Sequence, residues 1–445
     1  MSTFASARER VGEVDLAGRT LLVPSMHPVG SELLAACFRA IGFSAVVMET
    51  GTGLELGREH TSGKECYPCQ ITLGDVLRHL GAERARLGAS FAAGRYAYFM
   101  PEATGPCRFG MYNKLHRLVL DRFEEYREIP IASITTADSY GAGGLVPKRD
   151  ATAFRLMAYM AMIAADVLDR ILWRARPYER APGGTEAVHA GAVARLVETI
   201  ERGGLRRDFA PLRAIVGAAA RAAREGIDAA LPRRPRVGMV GEIYLRSHPM
   251  SNQGLVRELE SHGAEVVNAS IAEWLSFITY CRVRERRREA GAALRRRRFG
   301  AAGAAFRGWA GQALEYRFLN ARRRWLYAAA ERHLDIAADH PVHAAERRLE
   351  GERHFSFDVG TESVLSIGGA LEHAAHGFDG IVNVYPFTCM PGTIATAVLA
   401  PLLGEKGVPY LEVPCDGTHR PNRETQVRTF VWQARQRRER ARRAG

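Results

Sequence analysis

Arg236–Ala269 reads RVGMVGEIYLRSHPMSNQGLVRELESHGAEVVNA, and this stretch decides the fold. Residues 236–243 form a short apolar run of the kind found in strands buried on both faces. A helix is expected over 253–262 and a second strand over 265–269. Strand, helix and strand in such quick succession make a parallel βαβ unit.

The same alternation recurs on either side. Towards the N-terminus, strands are expected at 20–25 (TLLVPS), 44–49, 96–100 and 129–135, with helices at 31–41, 70–80 and 111–126. Towards the C-terminus come a helix at 360–376, a strand at 379–385 (DGIVNVY), a helix at 391–403 and a strand at 409–413. The expected fold is α/β, with two Rossmann-like parallel-sheet domains and helical segments inserted between and within them. The first domain is expected to span 17–150. A helical segment, broken at Gly183-Gly184 and Gly203-Gly204, covers 151–234. The second domain spans 235–430, with an arginine-rich helical insertion over about 270–350, and a basic tail covers 431–445.

With 445 residues the chain is too long for one ordinary core. No run of about 18 uncharged apolar residues is present, so no membrane span is expected. Residues 1–10 carry charge and no apolar stretch, unlike a secretory signal, and the expected compartment is the cytoplasm. There the seven cysteines stay reduced, and the useful ones read as ligands or nucleophiles rather than disulfides.

The formal charge of +13 by itself suggests nucleic acid or another acidic partner. The excess is arginine, concentrated at 282–298 and 435–443. Neither run interleaves aromatics as a base-stacking platform does. Solvated helix faces account for them, so nucleic acid is not the expected partner.

Three cysteine loops stand out. Cys66 and Cys69 lie in SGKECYPCQ (62–70), just before a helix. Cys107 lies in GPCRFG (105–110), between a strand and a helix, and so does Cys389 in PFTCMPG (386–392). In an open parallel sheet such loops meet at the carboxyl ends of the strands, where ligands bind. Helix N-termini there favour thiolate, and glycines let backbone amides approach sulfur. One CxxC joined by two distant cysteines suits an iron–sulfur cluster better than a structural zinc site, which usually has two local ligand pairs. A thioredoxin-like CxxC is a further alternative, but it leaves Cys107 and Cys389 unexplained. Cys415, in VPCDG (413–417), ends the last strand and is a weaker candidate ligand. Cys37 and Cys281 read as packing residues.

The stretches SGKECYPCQITLGD (62–75), MPEATGPCRFGMY (100–112), GEIYLRSHPMSNQGLVRELE (241–260) and PFTCMPGTIATAV (386–398) resemble the 2-hydroxyacyl-CoA dehydratase and benzoyl-CoA reductase-related superfamily. The nearest resemblance is to its acyl-CoA dehydratase activase-related, double-cubane-cluster branch. That resemblance implies an iron–sulfur cofactor, either [4Fe–4S] or a larger bridged double cubane, held by Cys66, Cys69, Cys107 and Cys389. It also implies a separate ATP-hydrolysing activase as electron donor, and a small molecule or acyl-CoA as substrate. No G-x-x-x-x-G-K-[ST] motif is present, in keeping with an ATPase on another chain. The resemblance places Glu242 and Arg246 at the cleft between domains as candidate catalytic residues.

The expected function is thus to accept low-potential electrons and pass them to a difficult reduction or radical dehydration. A non-catalytic electron-transfer subunit is one alternative, and a basic nucleic-acid-binding protein with a structural cysteine–metal site is another. A homodimer is the default expectation. Lys64 and Glu65 are expected to tune the first loop, His248 and Asn252 to be satisfied polar residues, and Asp138–Tyr140 to form a turn.

Overall fold

The computed structural model describes residues 9–205, 207–336 and 338–444. Most of the charged N-terminal decapeptide therefore lies outside the described residues. Every strand pairing in the described chain is parallel.

The first sheet contains β1 (Val11–Gly12), β2 (Thr20–Val23), β3 (Ser44–Val47), β4 (Tyr96–Phe99) and β5 (Ile131–Ala132), in the order β1-β5-β4-β2-β3. The second contains β6 (Arg236–Gly241), β7 (Glu265–Asn268), β8 (Gly380–Pro386) and β9 (Tyr410–Cys415), in the order β7-β6-β8-β9. Strands β4 and β8 are buried along their whole length, which is why they read as unbroken apolar runs. The chain reverses its winding between β2 and β4 in one sheet and between β6 and β8 in the other. Crevices at the carboxyl ends of such strands are where α/β folds bind ligands.

The helices of the first domain are α1 (Pro28–Arg39), α2 (Leu54–Glu59), α3 (Tyr67–Leu87) and α4 (Tyr112–Leu120). The short α2 lies with its backbone against that of α3. A Cβ on Gly57 would come within 1.9 Å of the Gln70 carbonyl oxygen, and one on Gly74 within 1.7 Å of that of Gly53. Only glycine permits this approach, and it fixes the helix that begins at the CxxC loop.

The middle of the chain forms α5 (Ala151–Ala175), α6 (Gly184–Gly203) and α7 (Ala210–Gly226), broken at the expected glycines. Helix α5 is long and apolar enough to cross a membrane by composition alone, but 61% of its most apolar window is buried inside the protein. It packs against α1, α6 and α7, and this core position accounts for its composition.

The second domain adds α8 (Ile243–Ser247), α9 (Leu255–Ser261), α10 (Ile271–Arg295), α11 (Phe299–Glu331), α12 (Val342–Gly351), α13 (Thr361–Ala375), α14 (Met390–Glu405) and α15 (Arg423–Ala444). The arginine-rich stretch is a hairpin of α10 and α11 turning at Arg297, whose φ is +53°. The hairpin joins the middle helices: Tyr159 donates to the Leu319 carbonyl at 3.2 Å, and Arg213 Nε to that of Trp325 at 3.0 Å. Leu326, Tyr327 and Ala330 share one core with α5 and α7. The two helical regions therefore make a single helical body beside the sheets. The basic C-terminal residues continue α15, which lies on the second sheet through Val427, Phe430, Val431 and Ala434.

Candidate functional site

The cysteine loops leave the carboxyl ends of both sheets. Cys66 is the N-cap of α3, with Pro68 in its first turn, and Cys389 is the N-cap of α14, with Pro391 placed likewise. Cys107 precedes a single 3-10 turn (Arg108–Met111) that leads into α4. Cys415 closes β9. Cys66, Cys69, Cys389 and Cys415 are buried and Cys107 is half-buried.

Arg108 ties three of the loops together. Its guanidinium donates to the Lys64 carbonyl at 2.6 Å and to the Thr388 carbonyl at 2.9 Å. One side chain beside Cys107 thereby holds the residues neighbouring Cys66 and Cys389. The Phe387 amide donates to the Cys415 carbonyl at 2.7 Å, joining the last two loops. Thr388 holds a φ of +65°, a left-handed conformation unusual for a threonine, so the turn at Cys389 is strained.

Electrostatics divides the five cysteines. Burial pushes every one of their thiols upward, Cys66 to about 11 and Cys415 to about 11. Cys66, Cys107 and Cys389 then share the same further neighbours: the charges of Glu242 and Glu362 act on all three, and Cys66 acts on the other two. Cys69 feels Cys66, Glu65 and Arg108, and its Sγ lies 3.6 Å from His116 Nε2 on the side of the first domain's core. Cys415 feels Arg423 and Arg420 first, then Asp416 and Glu242, and its thiol donates to the Val413 carbonyl at 3.6 Å. Cys66, Cys107 and Cys389 thus share one electrostatic neighbourhood with Glu242 and Glu362, while Cys69 adjoins Cys66 and His116 and Cys415 adjoins Arg420 and Arg423. Cys37 lies in the core under the first sheet, and Cys281 is half-buried on α10.

Glu242 caps α8, its carboxylate accepting from the Leu245 amide at 2.8 Å. Burial first, and then the charge of Glu362, push its carboxyl up to about 7. Arg246 does not pair with it. That guanidinium is buried, donates to the Ser270 carbonyl at 2.9 Å, and lies 3.8 Å from Glu273. Glu242 therefore faces the cysteines, while Arg246 braces the loops behind.

Four site residues carried no signal in the sequence. Glu362 opens α13 far from any cysteine in the chain. The buried Tyr112 hydroxyl lies near the Cys66 thiol and acts to lower its pKa. His116 is fully buried, and burial lowers it to about 4, so it is a neutral imidazole beside Cys69. Arg108 adjoins Cys107 in the GPCRFG motif, yet its reach across two other loops is a product of the fold. Glu65 accepts from the Ser62 amide at 2.9 Å and closes the CxxC loop on itself. Lys64 contributes its carbonyl to Arg108. Asn252 is satisfied locally, donating to the Leu245 carbonyl at 2.7 Å. His248 is satisfied only at Nδ1, 2.6 Å from Ser251 Oγ, and its buried Nε2 has no hydrogen-bond partner.

A cavity of about 440 Å³ opens beside these loops. Phe99, Phe109, Tyr112, Tyr140, Trp274 and Phe318 line it, with Glu242, Glu362 and the Arg155–Glu315 ion pair as charged points. Tyr140 follows a turn, at a φ of +56°, and Trp274 Nε1 donates to its hydroxyl at 3.3 Å. A larger groove, about 940 Å³, lies on the outer side of the α10–α11 hairpin and holds no cysteine. There Arg284 is committed to Glu346, Glu350 and Asp358, while Arg287 and Arg324 stand beside Trp309 and Tyr316.

A single zinc ion gathers its sulfurs to about 3.8 Å from one another. Among the described residues, no three cysteine sulfurs lie within 4.8 Å of each other. A cluster spreads its thiolates over several irons and needs wider spacing. Soft donors from three buried loops, with the Arg108 charge and the Tyr112 hydroxyl beside them, fit that second kind of group. No family model matches the chain, and no curated protein matches it.

Proposed function

We propose that this chain is a cytoplasmic iron–sulfur protein, the electron-accepting component of an ATP-driven reductase or dehydratase of the 2-hydroxyacyl-CoA dehydratase type. The observation that carries this reading is the meeting of three cysteine loops, joined by Arg108, beside a largely apolar cavity lined by Glu242 and Glu362 as well as the ion-paired Glu315.

Cys66, Cys69, Cys107 and Cys389 would hold the cluster, with Cys415 as a weaker further ligand. When bound, the cluster supplies one electron at low potential. Arg108 and Tyr112 favour the thiolate form of its ligands and so tune that potential. The aromatic walls exclude water and suit a small, largely apolar substrate or the acyl end of a larger one. Glu242, at about 7, can hold a proton at the cavity wall near neutral pH and deliver it to a reduced substrate. A separate ATPase is the electron donor in this scheme.

Low-temperature EPR of the anaerobically reconstituted protein, with a candidate ATPase and with or without ATP, tests the proposal. A reduced-cluster signal that appears only with ATP supports it. A cluster whose oxidation state is unaffected by ATP and its partner removes the mechanism. Glu242→Gln should keep the iron and the EPR signal but lower substrate turnover at least about tenfold, as loss of a general acid does. Unchanged turnover would remove Glu242 from proton delivery.

A further inference from the structure

On the far side of the second sheet, at the opposite end of α13 from Glu362, three potential ligands meet. Glu362 and His376 are fourteen residues apart, about 21 Å at the rise of an α-helix, so this place is remote from the cysteines. Glu372 lies in the last turn of α13, His376 caps its end, and His340 comes from the segment between α11 and α12. Among the described residues, these are the only three side chains of the metal-ligating types whose donor atoms all lie within 4.8 Å of one another.

The arrangement is built from both sides. Asp339, next to His340, is buried in an ion pair with Arg170 and also accepts from Ser270, so the His340 backbone is anchored to the helical body. Arg348 Nε donates to Glu372 Oε1 at 2.5 Å, which leaves Oε2 turned toward the histidines. Oε2 is 3.9 Å from His340 Nδ1 and 3.7 Å from His376 Nδ1. Those separations are too long for hydrogen bonds and suit two ligands sharing one ion. The two imidazole rings lie 4.6 Å apart. A third imidazole, His373, backs onto His340 at 5.2 Å; it is 5% exposed and its Nδ1 has no hydrogen-bond partner. His376 Nδ1 also lies 2.8 Å from the Glu372 carbonyl, so binding through Nε2 preserves that hydrogen bond and binding through Nδ1 exchanges it for the metal.

We propose that His340, Glu372 and His376 bind a divalent transition-metal ion of the zinc class. Two imidazoles and a carboxylate form a donor set that zinc, cobalt and nickel accept, and three protein ligands leave one position for water. The His376 side chain is 56% exposed, so the ion has a path from solvent. Its ligands come from the helical body and from the second domain, so binding clasps the two together. Arg348 is a positioning residue, holding the carboxylate as outer partners do in such sites. The proposal is independent of the iron–sulfur reading.

Titration of the purified protein with Co2+ alone, read as the difference spectrum, tests it. One equivalent should bind with d–d absorption and without a sulfur-to-cobalt charge-transfer band, and should raise the melting temperature. His376→Ala, at a largely exposed position that leaves the core intact, should weaken Co2+ binding at least about tenfold and abolish the melting shift. Cys66→Ser should retain both. Unaltered Co2+ affinity in His376→Ala, a sulfur charge-transfer band, or no bound equivalent would each overturn the site.

Discussion

The two sheets present rims of the same construction with different chemistry. The first brings Cys66, Cys69 and Cys107 to its carboxyl edge, with neutral His116 behind them. The second brings Cys389 and Cys415 together with two carboxyl groups, Glu242 and Glu362. Neither rim alone offers a complete site. Three of the five thiols come from the first rim and the raised carboxyls Glu242 and Glu362 from the second, so the proposed site needs both domains. Arg108 is the physical link, rooted in the first rim and bonded to the carbonyl of Thr388 in the second.

Substitutions ranked by their effect on bound iron test that division. Cys66→Ser and Cys389→Ser remove a ligand from opposite rims, and each should abolish most bound iron and sulfide; full iron in either variant would remove that rim from the site. Arg108→Ala cuts the tie between rims. It should lower iron retention severalfold and, because these bonds are solvent-accessible, cost only about 1 kcal/mol of stability, read by denaturant unfolding. Cys415→Ser should keep most of the iron, because that thiol is engaged with the Val413 carbonyl. Cys37→Ala should keep all of it and cost about 1–2 kcal/mol through lost packing.

Much of this was legible in the sequence. Buried parallel strands read as apolar runs because both faces are covered, so β2, β4, β6 and β8 fall where their residues indicate. Glycine and proline framed the cysteine loops. The strand β1 escaped notice because two residues carry no period. Helix α15 was hidden by its arginines, although Val427, Phe430, Val431 and Ala434 keep the 3–4 spacing of a buried face. The aromatics beside the hairpin arginines were also invisible, since Trp309 and Tyr316 reach them from the partner helix rather than from within the run. Glu362, His116 and the span of Arg108 belong to tertiary structure, and no local motif announces a residue that acts from another domain.

The central claim is that cysteines from both sheets hold one iron–sulfur cluster in the cleft. Iron and acid-labile sulfide per chain, measured after anaerobic purification of the wild-type protein beside Cys66→Ser and Cys389→Ser, test it most directly. The account expects iron and sulfide together in the wild-type chain and neither in the two variants. Zinc without sulfide, or a cluster that survives both substitutions, would contradict it.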